Sequence, residues 1–235
     1  MAFATLVLLP GLDGSGKLFA PFVEALEPGL DVKVIRYSDD ASLGYLALEA
    51  FVRSSLPVAQ PFVLLGESFS GPIAISIAAR PPANLLGAVL CCTFASNPRP
   101  RLSSFQLLLP LVSHRTVPLA VSSSVLLGRY STGTLRNVLL RVLDTLSPQL
   151  LRARLREVIH VDVTDQLAKI TLPVLYLQAR NDHLVPGAAT VKLARVNSRV
   201  QIETVDGPHF LLQARPAQAA AIVRKILATL GRSPQ

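Results

Sequence analysis

Six short, nearly uninterrupted apolar runs are spaced along the chain, and they constrain its fold more than any other feature. They fall at about 3–9 (FATLVLL), 32–37 (VKVIRY), 62–66 (FVLLG), 87–93 (GAVLCCT), 173–179 (PVLYLQA) and 200–205 (VQIETV). Strands with one wet face alternate polar and apolar residues, whereas continuous runs of this length suit strands covered on both faces of a parallel sheet. Amphipathic stretches at about 17–27, 42–55, 69–80, 187–196 and 216–230 separate or follow the runs. Strand–helix alternation of this kind implies right-handed crossovers and a doubly wound, mainly parallel α/β sheet of about six strands. With 235 residues, half of them hydrophobic and 16% charged, the chain can bury a large core and is not a disordered tail. No run of 18 apolar residues occurs, so stable membrane insertion is not expected. The apolar N-terminal run has no basic residue before it and leads into a Gly-rich turn. It therefore reads as a first strand and not a leader, which makes the cytoplasm the expected compartment.

One stretch breaks the alternation. Between Asn97 and Thr171 there is no convincing strand, but there are helix-like runs at 104–112, 116–127, 132–143 and 148–159, punctuated by Pro100, Pro110, Pro118, Gly133 and Pro148. Ordinary connections have a median of about 4–6 residues, so this stretch reads as an inserted helical lid over 97–171, with a core formed by 1–96 and 172–235. Such insertions sit at the carboxyl edge of the sheet, where α/β proteins bind ligands. The formal charge of +8 is concentrated here: residues 99–156 hold nine arginines against the single acid Asp144. Leucine-rich lid faces suit a short to medium acyl chain. The arginines, with Arg152, Arg154 and Arg156 as substrate-binding candidates, suit an anionic headgroup or an acidic acyl carrier protein; the alternative is a solvated helix surface. No aromatic platform accompanies the charge, so nucleic acid is not an expected partner. The adjacent Cys91 and Cys92 read as buried strand residues, and no His, Cys or carboxylate cluster has metal-ligand spacing. Neither metal nor cofactor is expected.

Two motifs compete for the chemistry. Gly11–Lys17 (GLDGSGK) fits a phosphate-cradling loop after a strand, but Leu18 stands where a hydroxyl would hold Mg²⁺. A Gly-rich strand-to-helix turn is the alternative. The second motif is Gly66-Glu67-Ser68-Phe69-Ser70-Gly71, between the run FVLLG and the helix-like PIAISIAAR. A serine on such a sharp turn projects its hydroxyl above the sheet, and small neighbours let helix and strand approach. Here Ser70 takes the place of the second glycine of G-x-S-x-G, and Gly71 follows. A hydroxyl becomes a useful nucleophile only when a base takes its proton and an acid orients that base. Asp182 lies just after PVLYLQA and His209 just after VQIETV, on loops leaving the same sheet edge as Ser68. His114 and His160 are alternative bases, Asp162 and Asp165 alternative acids, and His183 a rim residue. Glu67, beside the nucleophile, shapes the pocket or makes a structural hydrogen bond.

With these pieces in place, the sequence resembles the α/β-hydrolase superfamily over almost its whole length, through LVLLPGLDGSG, GESFSG, LPVLYLQARNDHLVP and VDGPHFLLQARP. The resemblance implies Ser68 as nucleophile, Asp182 as acid and His209 as base, in that chain order. It also implies an oxyanion hole from the amides of Leu12 and Phe69, with Gly11 at the substrate. The lid and its arginines are similar to those of small esterases acting on carrier-protein-linked methyl esters. The sequence departs from the superfamily in Pro10, where many members have histidine, and in Ala179, where glycine is common before the acid. The resemblance further implies a sheet without the superfamily's first two strands. A serine hydrolase of carboxylic esters is the expectation. Thioester hydrolysis or acyl transfer on the same residues, a phosphate binder at Gly11–Lys17, and a non-catalytic binding protein are the alternatives.

Overall fold

A computed structural model describes residues 4–26, 29–101 and 119–230. The apolar runs form β1 (Thr5–Leu9), β2 (Val32–Val34), β3 (Phe62–Glu67), β4 (Leu85–Cys91), β5 (Val174–Asn181) and β6 (Val200–Pro208). They make one sheet in the order β2-β1-β3-β4-β5-β6, with every pairing parallel. The chain winds outward from β1 to β2 and then returns to place β3 on the other side of β1, so a crevice opens between the ends of β1 and β3.

Every residue of β1 and β3 is buried, and the period of two explains why both faces are apolar. Leu6, Leu8, Val63 and Leu65 meet Phe19, Phe22, Leu26, Ala219 and Val223 on one face. These come from α1 (Ala20–Leu26), the turn before it and α10 (Pro216–Leu230), which follows the short α9 (Leu211–Ala214). Val7, Leu9, Phe62 and Leu64 meet Leu48, Val52, Ile73, Ile77 and Leu193 on the other. That layer comprises α2 (Tyr45–Ser55), α3 (Gly71–Ala79) and α8 (Gly187–Val196). Each such side chain contributes about 1.5–3 kcal/mol on burial.

The edge strands differ from the expectation of double burial. Gln201, Ile202, Glu203 and Thr204 of β6 are exposed, because β6 is an edge strand and, among the described residues, no further strand pairs with it. At the opposite edge, β2 stops at Val34 rather than Tyr37. Ile35 N–H still reaches the Leu8 carbonyl (2.9 Å), but Tyr37 N–H turns to the Gly14 carbonyl (2.9 Å) in the loop after β1.

Between β4 and β5 lie α4 (Leu119–Leu126), α5 (Gly133–Thr145), α6 (Pro148–His160) and α7 (Thr164–Ala168). The expected helices at 132–143 and 148–159 correspond to α5 and α6. Thr132 and Ser147 cap them by accepting the amides of Leu135 and Leu150, and Pro148 supplies a fixed φ in the first turn of α6. The run at 104–112, the start of the run at 116–127, His114 and Arg115 lie outside the described residues. The insertion is pinned where it returns to the core: Val163 N–H donates to Ala95 O (2.7 Å) and Asn97 N–H to Val161 O (3.1 Å). Val163, Leu167 and Ile170 then join the core beneath the sheet. α6 is also tied down at mid-length, since Glu157 Oε2 accepts Tyr45 N–H at the start of α2 (2.7 Å). Among the described residues, no helix is long and apolar enough to cross a membrane.

Candidate active site

Three side chains that can pass a proton sit immediately beyond the carboxyl ends of three strands. Ser68 follows β3, Asp182 follows β5 and His209 follows β6. Parallel strands deliver all their C-terminal ends to one edge, so residues 141 positions apart come within hydrogen-bond reach. Ser68 has φ +48°, a left-handed conformation unusual for a residue with a Cβ. Two close approaches hold this turn. A Cβ on Gly66 would lie 2.8 Å from the Ala74 Cβ, and one on Gly71 would overlap Thr93, whose hydroxyl donates to the Ser68 carbonyl. Gly71 thus provides the close helix approach that the shifted motif left open. Ser70 is wholly buried and braces the site from below, where its hydroxyl donates to the Pro10 carbonyl and accepts from Tyr37 Oη (2.6 Å). This chain ties the serine turn to the loop after β1, at the position where Pro10 replaces a histidine.

Ser68 Oγ lies 2.9 Å from His209 Nε2, and His209 Nδ1 lies 2.8 Å from Asp182 Oδ2. The His209 and Asp182 side chains are 4% and 5% exposed, which keeps water from competing for these bonds. Asp182 Oδ1 accepts the amides of Leu184 and Val185, both at 2.8 Å. The carboxylate therefore receives three hydrogen bonds and is fixed in orientation. A neutral imidazole with its proton on Nδ1, toward Asp182, would present a lone pair at Nε2 to the Ser68 hydroxyl.

A cavity of about 200 Å³ opens above these groups. Gly11, Leu12, Glu67, Ser68 and His209 form its floor, and Leu126, Leu139, Val142, Leu143, Leu146 and Leu151 from the insertion form its roof. Its polar end carries Asp13 and Glu67. Burial, with the charge of Asp13 adding to it, raises the Glu67 carboxyl to about 7, against hydrogen bonds from Gln213 and the Gly11 amide and the pull of His209. The Gln213 Nε2 bond is 3.0 Å. Burial also raises Asp13, countered mainly by Ser15 and by Arg154. Two carboxylates beside Gly11–Lys17, with Lys17 exposed, make this loop a poor phosphate cradle.

The structure brings together Ser68, Asp182, His209, Leu12, Gly11 and Glu67, with Phe69 directly after the serine. It does not bring the arginine trio to the cavity. Arg156 is exposed, Arg152 is half-buried, and Arg154 is turned inward at 2% exposure. The reason is the face of α6: Leu150, Arg154 and Val158 lie on one stripe at four-residue spacing, on which Leu150 and Arg154 are buried and Val158 packs on the core. Arg154 Nη1 donates to Leu12 O (2.7 Å) and Nη2 to Ser38 O (3.1 Å). A charge on an apolar stripe was the available signal for this contact. Asp162 and Asp165 are exposed, as are His160 and His183, and Asp162 Oδ1 accepts the amide and hydroxyl of Thr164 at the start of α7. Tyr37 and Gln213 were not singled out from sequence, because nothing local marks residues that bond across 33 and 146 positions. Cys91 and Cys92 are buried and unbridged. Among the described residues, no group of three or more His, Cys, Asp or Glu side chains is placed to hold a metal ion.

A six-stranded parallel sheet with a serine turn and two opposed catalytic-type loops at one edge defines an α/β-hydrolase. The family model described as serine aminopeptidase, S33, matches residues 37–210, and the chain belongs to that family of hydrolases. It is similar to the biotin biosynthesis bifunctional protein BioHC of Cellvibrio japonicus, with 25% identity over 98% of this chain and 49% of that protein. The chain thus spans about half the length of that relative. It is also similar to the putative carbamate hydrolase RutD of Rhizobium rhizogenes, with 23% identity over 91% of this chain and 88% of the other. A solved carboxylesterase of Nitrososphaera gargenis shares the fold with a TM-score of 0.82 and 13% identity, over 98% and 92% of the two chains.

Proposed function

We propose that the protein is a serine hydrolase of small carboxylic esters with short to medium acyl chains, working through Ser68, His209 and Asp182. The observation that carries this reading is the unbroken hydrogen-bonded path from Ser68 Oγ through His209 to Asp182 beneath an apolar cavity. His209 Nε2 takes the Ser68 proton as Oγ bonds to the acyl carbon. The developing oxyanion is held by the amides of Leu12 and Phe69, and Asp182 stabilises the imidazolium. His209 then gives the proton to the departing alcohol as the C–O bond breaks, which leaves an acyl-enzyme. Water, deprotonated by the same imidazole, releases the acid and restores Ser68.

The cavity supports the substrate class. An apolar cavity of about 150 Å³ accommodates a benzene molecule, so one of about 200 Å³ roofed by leucines and a valine has room for a short to medium acyl chain. Thioester hydrolysis and acyl transfer use the same groups and differ only in the leaving group or acceptor. Turnover of acyl esters of graded length, as oxygen esters and as thioesters, beside an aminoacyl anilide, tests the proposal. The expected result is a preference for mid-length acyl esters, with Ser68→Ala slower by at least about 10³-fold. Undiminished hydrolysis by Ser68→Ala would falsify the assignment, and dominant turnover of the anilide would replace the esterase by a peptidase.

A further inference from the structure

We propose that Arg154 is a positioning residue of the oxyanion loop, through which the docking of the inserted helix α6 sets the rate of the chemical step. The inference deepens the hydrolase reading and rests on it.

The loop after β1 is a tight turn in which Gly14 N–H donates to the Gly11 carbonyl (3.0 Å). The Gly11–Leu12 peptide is trans, so its N–H points opposite to that carbonyl, away from the turn. The other peptide of Leu12 is held by Arg154, whose Nη1–H reaches the Leu12 carbonyl at 2.7 Å. Both peptides flanking the oxyanion candidate Leu12 are therefore fixed, one by the turn and one by a side chain from the insertion. The same guanidinium donates to Ser38 O (3.1 Å) and lies over the rings of Tyr37 (5.9 Å) and Phe69 (5.8 Å). Phe69 carries the second candidate donor, so Arg154 touches both oxyanion residues without entering the cavity. Gly14, at φ +70°, leaves room for this: a Cβ there would lie 2.5 Å from Arg154 Nη1.

The chemistry calls for arginine. Two carbonyls in different directions need the planar fork of a guanidinium, and a lysine ammonium on one stem meets one of them well. Burying a cation is costly unless it is compensated. Burial works against the charge, Asp13, Tyr37 and Asp39 favour it electrostatically, and its hydrogen bonds go to two backbone carbonyls, Leu12 in the loop and Ser38 beyond β2. A fixed positive charge behind the loop also favours an oxyanion in front of it.

The test compares wild type with Arg154→Ala, Arg154→Met and Arg154→Lys in ester turnover and in the rate of covalent labelling of Ser68 by a fluorophosphonate. Losing one oxyanion donor costs about 10²–10³ in turnover, and a donor set adrift is expected to cost about 10–100-fold in kcat with KM within about twofold. Arg154→Lys is expected in between. Guanidinium ion at low, non-denaturing concentration restores part of kcat and of the labelling rate to Arg154→Ala. It does not restore them to Arg154→Met, where the methionine fills the space. Should Arg154→Ala fail to fold, Arg154→Met and Arg154→Lys carry the comparison. Wild-type kcat in a folded Arg154→Met, or a loss confined to KM, overturns the inference while leaving the hydrolase reading intact. A wild type that neither labels at Ser68 nor turns over esters removes the hydrolase reading and this inference together.

Discussion

At the residue scale, the most informative side chain besides the Ser68–His209–Asp182 set is Glu67. It joins three pieces of the site, since Gln213 after His209 and the Gly11 amide both donate to it, and Ser68 is its neighbour in sequence. Burial and Asp13 raise its carboxyl from 4.5 to about 7. The folded state therefore holds a proton that the unfolded chain has already lost between these values. Stability is greatest below the unfolded value and falls as pH rises through that window, by about 3 kcal/mol in all at about 1.4 kcal/mol per unit. Glu67→Gln removes the titration. Thermal unfolding from pH 4.5 to 7.5 should show wild type losing stability relative to Glu67→Gln with rising pH. Parallel curves would mean that Glu67 titrates alike in both states. The sequence showed Glu67 as either pocket-shaping or structural, and the structure gives it both positions, lining the cavity and bonding Gln213.

At the element scale, α5 is the roof of the cavity, with Leu139, Val142 and Leu143 facing the floor where Ser68 and His209 sit. Narrowing that roof changes selectivity before it changes chemistry. Val142→Phe is expected to lower kcat/KM for an octanoyl ester about tenfold relative to an acetyl ester, an effect of the size a methylene or two makes in an apolar pocket. Measuring both esters under one set of conditions checks this, and an equal fall for the two contradicts it. How much of each element could be read in advance follows from what determines it. The strands and the loops that carry Ser68, Asp182 and His209 were legible because an apolar run is a local signal, and each of the three residues follows a strand. The exposed face of β6 was not, because a run of residues does not reveal that its strand lies at the sheet edge. Nor was the inward turn of Arg154, whose partners Leu12 and Ser38 are 142 and 116 residues away. Composition marked it as one arginine among nine, and only its place on the Leu150–Val158 stripe set it apart.

At the scale of the whole molecule, the topology does the assembling. The return from β2 to β3 across β1 puts the loop after β1 and the serine turn on either side of one crevice, and β5 and β6 bring Asp182 and His209 to the same edge. The insertion is then fastened beside that crevice by the Ala95–Val163 bond at its return and by Glu157 and Arg154 along α6. The central claim is that this assembly makes Ser68 a uniquely activated hydroxyl. The most direct measurement is the rate and site of fluorophosphonate labelling, mapped by peptide mass, in wild type and in His209→Ala. The account predicts modification at Ser68 alone, slowed by at least about 10³-fold when the base is removed. Labelling at another residue, or at an undiminished rate in His209→Ala, would contradict it.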